Sequence, residues 1–208
     1  MIPLVSPNTI GDAPSVRVLP SAPAATTLAG RAEAAGFTVL AASTWPQSPA
    51  DVAPPVVAGF VTSSFSPLAA EVARRCLDQR ASSTTIAAEN EASSTAVIIA
   101  SSLGDIAGAR HVAQAVDAGA RVGPLLFFQC VPNAVAGHIA ARWGLAGPVI
   151  CVGDELSALD AAGLLIEDAD ADAVLLIRVD QAASAHERDR AEAVLLAAGA
   201  AAHERSGT

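Results

Sequence analysis

Tyrosine is absent from the 208 residues, and the other aromatics are limited to five Phe and two Trp. A core without aromatic blocks has to close through many small side chains and short helix–sheet distances. Ala and Val supply much of the 52% hydrophobic share that makes this possible. Cysteine is scarce too: Cys76, Cys130 and Cys151 are far apart, with no CxxC and no Cys/His pair at zinc-ligand spacing. This excludes a zinc module and a disulfide framework, so no metal or cofactor is expected. Reduced, buried thiols in a cytoplasmic protein are the simplest reading. Basic residues number 12 against 21 acidic, a net charge of −9. Nucleic acid and anionic membrane surfaces both need clustered Lys and Arg, so neither is expected as a partner. No apolar run is long enough to cross a membrane, and residues 1–16 lack the basic-then-apolar pattern of a signal peptide. GxGxxG and GxxxxGK[ST] loops are missing as well, which removes the common nucleotide folds.

What is present reads as one domain. Pro3, Pro7, Pro14, Pro20 and Pro23 make residues 1–27 an irregular arm with a possible strand at Val16–Leu19. The domain proper is expected over residues 28–200, and 201–208 as a tail. A short helix over 28–36 stops at Gly36, and Phe37–Ala41 reads as a strand before a loose, proline-rich stretch from Ser43 to Pro55. Ser66-Pro67 opens a helix with Leu68, Val72 and Cys76 on one face. After a polar stretch over 82–94, Thr95–Ala100 is continuously apolar, as a strand buried on both faces should be. Ser101–Asp105 turns into a helix over Ile106–Ala118. The rhythm repeats with a short apolar run at Leu125–Phe128, a helix from Pro132-Asn133 to Trp143, a break at Gly147-Pro148 and a strand at Val149–Val152. A helix over Leu156–Glu167, a strand over Ala173–Val179, an exposed turn at 184–189 and a strand or helix at Ala193–Ala197 complete it. Strands alternating with helices give an α/β fold with a mixed sheet.

Four places invite chemistry. The Ser101–Asp105 loop follows a buried strand, where α/β folds bind ligands, but its composition suits a capping loop. His138 has no ligand or carboxylate at useful spacing. Asp154-Glu155 suits the charge preference of a helix start. Cys151 is the one candidate nucleophile: a thiol near a strand end before a helix can be activated, given a base and an oxyanion site.

An ordered series of residues adds a resemblance. Pro124, Phe127-Phe128, Asn133 with Gly137 four residues on, Gly147-Pro148, Leu156-Ser157-Ala158-Leu159 and Ala171-Asp172 follow one another in the order and spacing of a known family. SFSPLAAEVARRCL, TAVIIASSLGD and a returning strand at Ala191–Leu196 match more loosely. The stretch 122–180 resembles the N-terminal half of a β-ketoacyl synthase, a thiolase-fold enzyme of fatty acid and polyketide assembly. The resemblance implies a thiolase-like N-terminal half: a mixed sheet flanked by helices.

It also implies what is missing. The family follows its Gly-Pro with a short strand and a Thr-Ala-Cys-Ser turn that carries the nucleophile. Here Pro148 runs into VICVGDEL and the helix begins about four residues sooner, so Val152 or Gly153 stands near the nucleophile position and Cys151 falls in the strand. Too few residues follow Val179 for the family's second half and its two histidines. The expectation is therefore no catalytic residue, and a pseudoenzyme like a chain-length factor or the small synthase-like proteins of aryl polyene and polyketide pathways. Such a subunit would pair with an active ketosynthase, or with itself, and meet acyl carrier protein only through that partner. The implied interface is Val149, Ile150, Cys151 and Val152, with Phe127, Phe128 and Asn133 beside them. Two other readings remain: an acyltransferase or thioesterase using Cys151, and a stand-alone protein that binds an acyl chain or small metabolite.

Overall fold

A computed structural model describes residues 27–83, 94–184 and 186–199; the N-terminal arm with Val16–Leu19 and the tail lie outside them. Five strands form one sheet in the order β1-β5-β4-β2-β3. They are β1 (Thr38–Trp45), β2 (Thr95–Ala100), β3 (Val149–Val152), β4 (Ala173–Asp180) and β5 (Arg190–Ala197). β3, β2 and β4 are parallel, and β5 runs antiparallel to both β4 and β1. The fold is α/β with a mixed sheet, as the sequence pattern implies.

β2 is buried along its whole length and β4 nearly so, which is why both read as unbroken apolar runs rather than alternating ones. Their side chains divide between two cores. On one face Val97, Ile99, Leu175 and Ile177 meet α2 (Phe65–Ser83) and α5 (Pro132–Trp143). On the other, Ala96, Ile98, Val174 and Leu176 meet α1 (Leu28–Ala34) and α6 (Glu155–Glu167). α2 contributes Phe65, Leu68, Val72 and Cys76, all essentially inaccessible. Each apolar side chain removed from water in this way contributes about 1.5–3 kcal/mol.

The crossover that positions β3 is set by two glycines. Gly144 closes α5 in the left-handed region, at φ 66°. Gly147 then passes the start of β2, its N–H donating to the Thr95 carbonyl at 3.0 Å. A Cβ on Gly147 would lie 2.5 Å from the Ala96 nitrogen.

Two expectations are corrected, and a third reading that the sequence left open is decided. β1 continues to Trp45, because its pairing with β5 extends that far, so the loose stretch begins later than Ser43. The apolar run Leu125–Phe128, which stands where a strand would keep the rhythm, lies in a helix, α4 (Pro124–Cys130), with Pro124 in its first turn. The segment ending at Ala197 is a strand. α3 (Ile106–Asp117) also forms, but only Gly108 of its residues is buried.

Candidate functional site

β2 and β3 are neighbours whose exits diverge. β2 leads through α3 and α4 to α5 on one face of the sheet, and β3 leads directly to α6 on the other. Such a divergence opens a crevice at the carboxyl ends of the strands, the usual ligand position of open α/β sheets. Here it measures about 230 Å³ and is lined by Arg31, Ser101, Ser102, Asp154, Glu155 and Arg178 among others.

The crevice holds its own charges. Asp154 caps α6: one carboxylate oxygen accepts the Ser157 N–H at 2.8 Å and the other the Ser157 hydroxyl at 2.7 Å. The backbone bond above all, and then the hydroxyl, hold the Asp154 carboxyl below the usual carboxylate range. Glu155 accepts both arms of the Arg31 guanidinium and, at 3.3 Å, one from Arg178, whose other arm meets Asp180 at 2.7 Å. The positive end of α6 is thus already satisfied by a carboxylate of the chain itself, and Arg31 and Arg178 are already paired.

Cys151 lies elsewhere. Along β3, Ile150 and Val152 pack against the core under α6, whereas Cys151 turns to the core under α5. Burial pushes its thiol up to about 11, partly offset by a hydrogen bond with the Ile99 backbone. At neutral pH such a thiol is ionised to roughly one part in ten thousand. Cys76 is raised to about 12 by burial, and Cys130 is raised by burial and then by the neighbouring Asp105 charge. His138 packs edge-on against Phe60, with ring centroids 5.8 Å apart. No group of three His, Cys, Asp or Glu residues able to hold a metal occurs among the described residues.

The Ser101–Asp105 loop does act as a cap. Asp105 accepts the Gly108 N–H at 2.8 Å, and the Ser63 hydroxyl donates to it at 2.5 Å. Gln181 donates to Ser63 and Ser64, joining the loop to the start of α2. Sequence spacing could not reveal this network or the Arg31–Glu155–Arg178 cluster, because their members are far apart in the chain.

The expected interface residues divide among three elements. β3 is an edge strand, hydrogen-bonded to β2 alone among the described strands, and Val149 is 37% exposed. Among its described side chains α4 buries none: Leu125 and Phe128 are 67% and 69% exposed. Phe127 lies within α4, and Asn133 is exposed in the first turn of α5, which packs on β3. No single helix among the described residues is long and apolar enough to cross a membrane. The bent pair α4–α5 reaches that measure only jointly, and α5 buries Val135, Ala136 and Ile139 in the core.

The family model for the beta-ketoacyl synthase N-terminal domain matches residues 58–185, more than half of the chain. The chain belongs to that family. Its match reaches well beyond the 122–180 stretch that carries the clearest sequence signals. Solved ketosynthase structures share the fold. A ketosynthase (ApeO) in complex with its chain length factor (ApeC) from Xenorhabdus doucetiae is 17% identical, with a TM-score of 0.52 over 66% of this chain and 58% of that one. The ishigamide ketosynthase/chain length factor is 18% identical, with a TM-score of 0.51 over 68% of this chain and 45% of that one. A beta-ketoacyl synthase from Burkholderia phymatum STM815 is 14% identical, with a TM-score of 0.52 over 69% and 44%. The chain therefore spans about half the length of these ketosynthase chains. No curated protein matches it.

Proposed function

We propose that this ketosynthase-family chain is a non-catalytic, chain-length-factor-like subunit of fatty acid or polyketide/aryl polyene biosynthesis. It pairs with an active ketosynthase through the free edge of β3. The observation that carries the reading is the Asp154 carboxylate seated on the start of α6. A nucleophilic turn at that strand–helix junction needs the helix N–H groups free to stabilise a thiolate or an oxyanion. Here a fixed negative charge takes their place and would repel either one.

Two observations support the partner. β3 has no Lys or Pro within it and no described strand on its outer side, although exposed edges are usually guarded by such residues. Two of the structures that share the fold are themselves described as ketosynthase–chain length factor assemblies.

The test is co-expression with ketosynthases of the same genome followed by pull-down, which is expected to recover a stable complex. The isolated chain is expected to leave acyl- and malonyl-thioesters unchanged. A stable acyl adduct on Cys151, seen by intact-mass spectrometry, would instead establish the acyltransferase or thioesterase reading. The raised Cys151 thiol adds a kinetic check. Its thiolate appears only as pH rises toward about 11, so alkylation should be slow at pH 7 and accelerate about tenfold per pH unit below that value. Rapid alkylation at neutral pH would contradict the burial that disarms it.

Carrier protein is expected to bind the ketosynthase partner and not this chain. Acyl carrier proteins are acidic, and a chain of net charge −9 repels them at low salt. Saturable, salt-sensitive binding of carrier protein to the chain alone would overturn that division of labour.

A further inference from the structure

Beside the neutralised crevice lies a larger one. It measures about 580 Å³ and runs along the carboxyl ends of β2 and β4, between the Ser101–Ser102 turn and the segment that leads into β5. The two crevices share Ser101, Ser102 and Asp180. In the smaller one Arg31 and Arg178 are engaged by Glu155 and Asp180. In the larger one Arg188 and Arg190 both line the wall. Neither makes an ion pair with a described residue. Two carboxylates, Asp180 and Glu187, also line this crevice. Asp180 is taken by Arg178 at 2.7 Å, although Arg190 stands opposite it in the strand register, and Glu187 accepts the Ala183 N–H at 2.9 Å. The Ser101 hydroxyl accepts the Gly104 N–H at 3.1 Å, which leaves its own proton to donate.

We infer that this crevice binds a small organic anion with a tetrahedral oxyanion head group, held by Arg188 and Arg190 and hydrogen-bonded by the hydroxyls of Ser101 and Ser102. Guanidinium forks together with hydroxyl donors match the geometry and charge of a phosphate-type oxyanion, and the volume falls in the range of small-molecule sites. The site does not depend on the reading of the chain as a ketosynthase partner.

The experiment is thermal-shift titration and calorimetry of the full chain with inorganic phosphate and, separately, with glycerol phosphate, against sodium chloride at matched ionic strength. Saturable stabilisation by phosphate is expected, weakening as salt rises. Preference for glycerol phosphate would show that the crevice takes an ester, and equal effects that it takes the head group alone. Arg188→Gln/Arg190→Gln should weaken binding at least tenfold, and Ser101→Ala/Ser102→Ala several-fold. Both variants change exposed or partly exposed side chains, and their circular dichroism is expected to match the parent. Arg142→Gln, on the exposed side of α5, should bind as the parent does. Absence of saturation, a chloride effect equal to that of phosphate, or undiminished binding in the Arg188/Arg190 variant overturns the site.

Discussion

Val149→Pro is expected to cost the chain its partner while leaving it folded. The Val97 N–H donates to the Pro148 carbonyl at 2.9 Å, and the Ser101 N–H to that of Val152 at 3.1 Å. In a parallel ladder this pattern turns the N–H groups of Ile150 and Val152 toward β2 and those of Val149 and Cys151 toward the open edge. Proline at 149 therefore deletes an outward donor and leaves the inward ladder intact. Leaving one acceptor of the partner strand unpaired in a buried interface costs about 1–3 kcal/mol, a loss of roughly tenfold to a hundredfold in affinity. Size exclusion with circular dichroism reads both quantities. A folded species without its partner supports the interface, whereas loss of helical signal at unchanged subunit composition rejects it. Ile150→Lys is a different experiment. The Ile150 side chain packs into the core beneath α6, so the charge enters the fold itself and is expected to lower thermal stability before it affects association.

The second large effect belongs to Gly147→Ala. A methyl group there would lie 2.5 Å from the Ala96 nitrogen and 2.6 Å from the Thr95 carbonyl carbon, both backbone atoms that cannot turn aside. The entry to β3 must shift away from β2, at an expected cost of about 1–3 kcal/mol. The melting temperature should fall by roughly 3–10 °C. Gly137→Ala is the matched control. It sits inside α5 with nothing within 4 Å of its would-be Cβ, and alanine there is expected to be neutral or stabilising by up to about 1 kcal/mol. Equal melting temperatures for the two variants would show that the close approach at Gly147 is not tight.

The strands were the most legible part of the sequence. β2 and β4 are buried enough to leave continuous apolar runs, the edge strand β3 is a short one, and the limits of all three follow those runs to within a residue. α4 was not legible as a helix, because four apolar residues in a row carry no period, and only Pro124 marked a helical first turn. β1 seemed to end at Ala41 because Ser43 and Thr44 look like loop residues, yet Ser43 is buried and donates to the Val72 carbonyl at 2.7 Å. At the site, Asp154 could be read as a helix start from its place before an apolar helix. The pairing of Glu155 with Arg31 and Arg178 could not, because it depends on α1, α6 and β4 meeting at one end of the sheet. The segment 184–189 was legible as an exposed turn, but that Arg188 and Arg190 line a crevice was not.

The sheet order has a consequence for how the chain is made. β1 pairs with no described strand except β5, and Thr38 lies opposite Ala197. A ribosome adding about 5–20 residues per second delivers β5 on the order of ten seconds after β1. During that interval β1 is without its described partner, while β2, β3 and β4 are synthesised. The closure itself adds little to the thermodynamic cost, since loop entropy grows only with the logarithm of length. It is the timing that matters: β1 is a strand in waiting, and β5 both completes the described sheet and admits β1.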